Sequence, residues 1–159
     1  METQAIGLFS DYELERGKPM PNAIHGSIQA NLSFELKLRY RDTYRIMSET
    51  SLATQPDGTT PDVVIYPDFT LNYDGEPAKR TDAPLVCIEI QSPSQSLEQM
   101  VDKTIIYFAF GVQSCWIVAP AVKGVFVYDR PGHYSFFYED DFLLDPNTGF
   151  ELPLPAIFA

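Results

Sequence analysis

The chain has 159 residues and a formal net charge of −11, with nine Tyr, eleven Phe and only two Cys. That length fits one domain spanning residues 1–159, large enough to remove roughly 70% of the unfolded chain's surface from water. The acidic balance argues against a surface that grips nucleic acid all over, and no run approaches the roughly 20 apolar residues of a membrane helix.

The N-terminus lacks a basic patch before an apolar stretch, so no signal peptide is expected. Cys87 and Cys115 both sit in apolar runs, which fits reduced, buried thiols in a cytoplasmic protein. Charge is unevenly spread. "KLRYRDTYR" carries Lys37, Arg39, Arg41 and Arg45, and "EDDFLLD" carries Glu139, Asp140, Asp141 and Asp145. Solvated surface is the plain reading of both runs, with a local basic stripe as the alternative for the first.

In chain order, "YELERGKPMP" (Tyr12 to Pro21) reads as a short strand and a turn. Asn22 is placed to cap a helix running to about Tyr40, with Ile24, Ile28, Leu32 and Leu36 as its apolar stripe. "TYRIMSET" alternates as a half-buried strand, and "DVVIYP" is a short buried strand stopped by Pro67. A polar loop follows. Leu85 to Gln91 is the next strand, with Val86, Ile88 and Ile90 on one face and Leu85, Cys87, Glu89 and Gln91 on the other.

Ser96 and Gln99 form a capping box for a second helix that Gly111 ends. Leu97, Val101, Thr104, Ile105 and Phe108 are its expected buried stripe. "SCWIVAP", "KGVFVYD" and "HYSFFYE" follow as strands, with Trp116 in the core and His133 on the surface without an evident partner. The tail "ELPLPAIF" is apolar, broken by proline, and expected to pack across the body. The element order predicts an α/β, or α+β, fold: a mixed sheet flanked by helices, with one crossover unit from the Leu85–Gln91 strand through the second helix.

If the strands that start at Asp62 and end near Glu89 are antiparallel neighbours, the two carboxylates meet at one point. Two carboxylates and a main-chain carbonyl, that of Ile90, suit a hard divalent cation such as Mg²⁺ or Mn²⁺. Such a metal activates water and neutralises charge on a phosphodiester. Gln91 shares the face of Glu89 and is placed to orient the attacking water. Taken singly, a Pro-Asp pair reads as a strand start, and a strand-end Glu as a solvated group. A Glu facing the way Cys87 and Leu85 face needs a partner, because burying an unpaired carboxylate is costly. Lys103, on the second helix, either snorkels from a flank or reaches back toward the two acids. Ser92 and Ser94 have no paired base nearby and read as turn residues.

The segments "PDVVIYP", "LVCIEIQSPSQS", "VDKTIIYFAFGV" and "SCWIVAP", in this order and spacing, resemble the Uma-type restriction endonuclease family within the PD-(D/E)XK superfamily. "YELERGK" and "AIHGSIQANL" resemble its N-terminal part. The resemblance implies a restriction endonuclease-like fold and metal-dependent hydrolysis of DNA. Asp62 would be the "PD" acid and Glu89 the "D/E" acid. The superfamily's lysine two residues after the second acid is Gln91 here, and Lys103 matches the helix lysine that related sequences carry instead. Glu13 resembles the family's N-terminal acid, a further ligand or water-positioning group. His25 matches a helix histidine, either a flank residue or a group with a catalytic or phosphate-binding role. By analogy with enzymes that cut both strands of a duplex, a homodimer is expected. The alternative is a nuclease-fold binding or assembly module with weak or lost chemistry, which the net charge and Gln91 favour.

Overall fold

The computed structural model describes residues 21–159. The expected strand in "YELERGKPMP", and Glu13 with it, lie outside those residues. Helix α1 (Ala23–Tyr40) starts where expected: the Asn22 side chain accepts the His25 amide at 2.9 Å. Its buried stripe is His25, Ile28, Leu32 and Leu36. Ile24 was expected in that stripe, but in the first turn of the helix it is exposed.

Strands β1 (Tyr44–Ser48), β2 (Val63–Pro67) and β3 (Val86–Ile90) form an antiparallel meander. Helix α2 (Leu97–Phe110) then carries the chain across to β4 (Ser114–Ala119), which runs parallel to β3. Strands β5 (Gly124–Arg130) and β6 (His133–Tyr138) complete a six-stranded mixed sheet whose spatial order is the chain order, β1 to β6. A small hairpin, β7 (Phe142–Leu144) and β8 (Glu151–Pro153), and a short helix α3 (Leu154–Ile157) close the chain. No helix among the described residues is long and apolar enough to cross a membrane.

The sheet separates two apolar clusters. On one side α1 and the tail cover Ile46, Val63, Ile65, Ile88 and Trp116, with Leu152, Leu154 and Ile157 buried as the apolar tail required. Asn31 of α1 fastens that tail by donating to the Ile157 and Ala159 carbonyls at 3.0 and 3.1 Å. On the other side α2 covers Val64, Cys87, Cys115 and Ile117.

Helix α2 has both halves of its capping box, and Gly111 ends it at a φ of 112°. Its buried face differs from the expected one. Met100, Thr104 and Tyr107 point to the sheet, while Leu97 and Ile105 are exposed and Val101 and Phe108 pack at the margin. The rotation has a physical reason: Glu89 lies under this helix, and the face presented to it carries hydroxyl and ammonium groups.

The acidic run "EDDFLLD" also departs from a wholly solvated reading. Asp145 is completely buried, accepting from Ser114 Oγ and Trp116 Nε1 at 2.8 Å each, and from the Asn147 amide at 2.9 Å. His133 is a surface group as expected, but it has a partner: its Nδ1 lies 2.6 Å from Asp129 Oδ1.

Cys87 and Cys115 face each other across β3 and β4 as buried free thiols. Burial first, and then neighbouring acidic groups, push both thiols well above their ordinary range. The native protein is therefore expected to resist a colorimetric thiol reagent at neutral pH. Both cysteines should react at once on unfolding in denaturant.

Candidate active site

Val63 of β2 pairs with Ile88 of β3, so one further residue on each strand brings Asp62 beside Glu89. Both acids are almost wholly enclosed, at 1% and 3% exposure. Charges removed from water to this degree must be compensated locally, and each carboxylate has its own arrangement.

Asp62 stands just before the regular strand and is turned toward α1. Its Oδ2 accepts the Ile90 amide at 2.7 Å, and its Oδ1 lies 3.2 Å from Nε2 of His25. The Asp62 carbonyl accepts the Glu49 amide at 2.9 Å, which ties this corner to the end of β1. His25 is itself buried, at 6% exposure, and its Nδ1 has no hydrogen-bond partner among the described residues. With Nε2 directed at a carboxylate, a neutral His25 carries its proton there and leaves Nδ1 as an acceptor.

Glu89 faces the opposite helix. The Tyr107 hydroxyl donates a short hydrogen bond to its Oε2, and Lys103 Nζ lies 3.7 Å from the same oxygen. Lys103 and Tyr107 are one helical turn apart on α2, so one face supplies both groups. Burial, and then the adjacent carboxylate, push the Tyr107 phenol well above its usual range, so it remains a donor. Lys103 thus reaches back to the acid rather than snorkelling away from it. Tyr107 is the site residue that sequence reasoning missed. The available signal was its place four residues after Lys103.

Gln91 departs from its expected position. Strand β3 ends at Ile90, and the Gln91 side chain donates to the Gln95 carbonyl at 2.9 Å. It lines a cavity of about 300 Å³ together with Asn22, His25, Ser92 and Pro120. Ser92 takes the turn role expected of it: its amide donates to Gln95 Oε1 at 3.0 Å. The site thus has two sides. Asp62, His25 and the cavity with Gln91 lie toward α1, and Glu89, Lys103 and Tyr107 lie toward α2.

The oxygen donors Asp62, Glu89 and the Ile90 carbonyl match a hard cation in chemistry. Among the described residues no group of three or more His, Cys, Asp or Glu side chains assembles into a metal cage. Two acids with the remaining positions left to water and substrate oxygens fit Mg²⁺ better than a metal that needs a full protein ligand set. The basic stripe does not join this site. Tyr44 pairs with Pro67 and Ser48 with Val63, so Lys37, Arg41 and Arg45 belong to the end of β1–β2 remote from Asp62.

The model of the Uma2 family, described as "Putative restriction endonuclease", matches residues 6–154. The chain belongs to the Uma2 family. A solved structure titled as that of "a putative nuclease belonging to DUF820" from Anabaena variabilis is similar over 89% of this chain and 83% of that one, with a TM-score of 0.74 and 26% identity. No curated protein matches. The fold is restriction endonuclease-like, with the mixed sheet between helices that the residue pattern predicts.

Proposed function

We propose that this Uma2-family chain is a metal-dependent endonuclease that hydrolyses phosphodiester bonds in DNA. The observation that carries the reading is the pair Asp62 and Glu89, both buried and brought to adjoining strand ends. Enclosed carboxylates are costly to keep, and their place at the mouth of the sheet is where a cation and a phosphate can be met. Mg²⁺ or Mn²⁺, held by Asp62, Glu89 and the Ile90 carbonyl, would supply charge neutralisation and a more acidic water.

The chain's own residues have separable roles in this reading. Lys103 lies beside Glu89 and offers an ammonium to the scissile phosphate. Tyr107 fixes the rotamer of Glu89 by its hydrogen bond. The Ile90 amide and His25 orient Asp62. Gln91 lies in the cavity beside His25, where it would contact a substrate rather than replace the missing strand lysine. Glu13 is kept as an accessory acid on its resemblance alone.

The test is incubation of purified protein with supercoiled plasmid and with single-stranded DNA, in Mg²⁺, Mn²⁺ or EDTA. Nicked or linear product is expected with metal and none with EDTA. A Lys103→Met variant leaves the buried Glu89 without its cation and should lose stability, by up to about 3–5 kcal/mol, and the folded variant should cleave about 10²-fold more slowly if the ammonium meets developing charge. Cleavage unaffected by EDTA would overturn the metal-dependent reading.

A second reading, a nuclease-fold binding or assembly module with little chemistry, is favoured by the net charge of −11 and by Gln91 at the strand-lysine position. Metal-independent DNA binding without cleavage on any substrate would select it.

A further inference from the structure

Strand β6, "HYSFFY", is an outer edge of the main sheet. Edge strands are normally blunted by Lys, Pro or a covering element, because their unpaired amides and carbonyls invite another strand. β6 has neither residue. Instead it displays Tyr134, Phe136 and Tyr138 on one face, 49%, 36% and 48% exposed. These rings pack on one another. Phe126 packs against Tyr134 and Phe136 with centroids 5.2 and 4.6 Å apart, and Phe136 stacks on Tyr138 at 5.6 Å. The Phe136 ring lies so close over Gly124 that a Cβ there would fall 2.3 Å from it.

The main-chain groups of the same residues point outward. Tyr138 donates its amide to Asp141 Oδ2 at 2.9 Å, and its carbonyl accepts the Asp141 amide at 3.2 Å, so both groups face away from β5. Strand alternation directs the amides and carbonyls of Tyr134 and Phe136 the same way, where they meet no partner among the described residues. The edge is also polarised. Arg130 and His133, with Asp129, stand at its start, and Glu139, Asp140 and Asp141 follow its end.

We propose that β6 pairs antiparallel with β6 of a second copy of this chain, about a two-fold axis at Ser135. In that register Tyr134 of each copy exchanges hydrogen bonds with Phe136 of the other, and their rings become cross-strand neighbours. The start of each β6, at His133, comes beside the end of the other, which Asp140 and Asp141 follow, so the two unlike ends meet. The sheet runs through both copies, and the rings of the two edges meet side by side on one face. Nucleic acid on these rings is disfavoured, because Glu139, Asp140 and Asp141 flank them and the whole chain is acidic. The proposal does not depend on the nuclease reading, and its test uses no substrate.

The register makes a sharp test. Ser135 would face its own copy as a non-hydrogen-bonded pair, with Cα atoms about 4.5 Å apart, inside the range a disulfide spans. Ser135→Cys in the full chain, mildly oxidised, is expected to run as a covalent dimer on a non-reducing gel. Wild type, with only its buried thiols, and an exposed control, Ser27→Cys, should not. By sedimentation, wild type should be a dimer and Tyr134→Lys a monomer with unchanged circular dichroism. A monomeric wild type, a wild-type dimer that Ser135→Cys fails to cross-link, or a Tyr134→Lys dimer would each overturn the proposal.

Discussion

Replacing Glu89 by Gln is expected to lower plasmid cleavage by about 10²–10³-fold, the scale on which one preorganised group at a charge-developing centre acts. The substitution preserves shape and still offers an oxygen to the Tyr107 hydroxyl. It removes the charge that faces Lys103 and would face a cation. The loss should therefore appear in the single-turnover rate and in Mg²⁺ affinity by calorimetry, while the unfolding midpoint stays close to wild type. Asp62→Asn should behave alike, with a larger stability effect, because Asp62 also anchors the Ile90 amide and His25. Alanine at Asp62 is a poorer probe, since it strands a buried amide. Full cleavage by Glu89→Gln would remove the site from this end of the sheet.

Asp145→Ala is expected to destabilise the fold by about 2–6 kcal/mol, the desolvation cost of leaving two buried donors without an acceptor. Those donors are the Ser114 hydroxyl and the Trp116 indole, on the strand at the centre of the sheet. The Thr148 amide, at 3.3 Å, would also lose its acceptor. Against a total stability of about 5–15 kcal/mol for a domain, the variant would sit near its unfolding threshold. Urea unfolding followed by the fluorescence of Trp116, the only tryptophan, measures the shift directly. Asp145→Asn should cost less, because one acceptor oxygen remains. A midpoint within about 0.5 kcal/mol of wild type for Asp145→Ala, the scale of an ordinary surface change, would contradict the role assigned to this carboxylate.

The strands were legible because each carries its own signature: period-two alternation in "TYRIMSET" and closed apolar runs in "DVVIYP" and "LVCIEI". Both helix starts were legible because Asn22 and Ser96 act on amides within one turn. What escaped depends on distant partners. The stripe on α2 was assigned by apolarity to Leu97 and Ile105, yet the helix turns Tyr107 and Lys103 inward because an acid on another strand lies there. Asp145 looked like one more solvated acid, since nothing in "EDDFLLD" announces a hydroxyl and an indole some thirty positions earlier. The pairing of Asp62 with Glu89 was inferable only as a condition on strand direction, which the antiparallel register of β2 and β3 meets. Gln91 shows the limit of alternation. Once the strand ends at Ile90, period two no longer fixes where the next side chain goes.

The spatial order of the sheet repeats the order of synthesis. Each strand leaving a ribosome finds its neighbour already made, with the longest wait at the β3–α2–β4 crossover. Such a sheet can grow outward from one edge, with little chance of pairing out of turn. Asp145 belongs to the last hairpin, so its carboxylate arrives at Trp116 only after the central strands are placed. In refolding, the final change in indole emission should therefore lag behind the rise in sheet signal, marking the moment when the C-terminal segment locks onto the finished sheet.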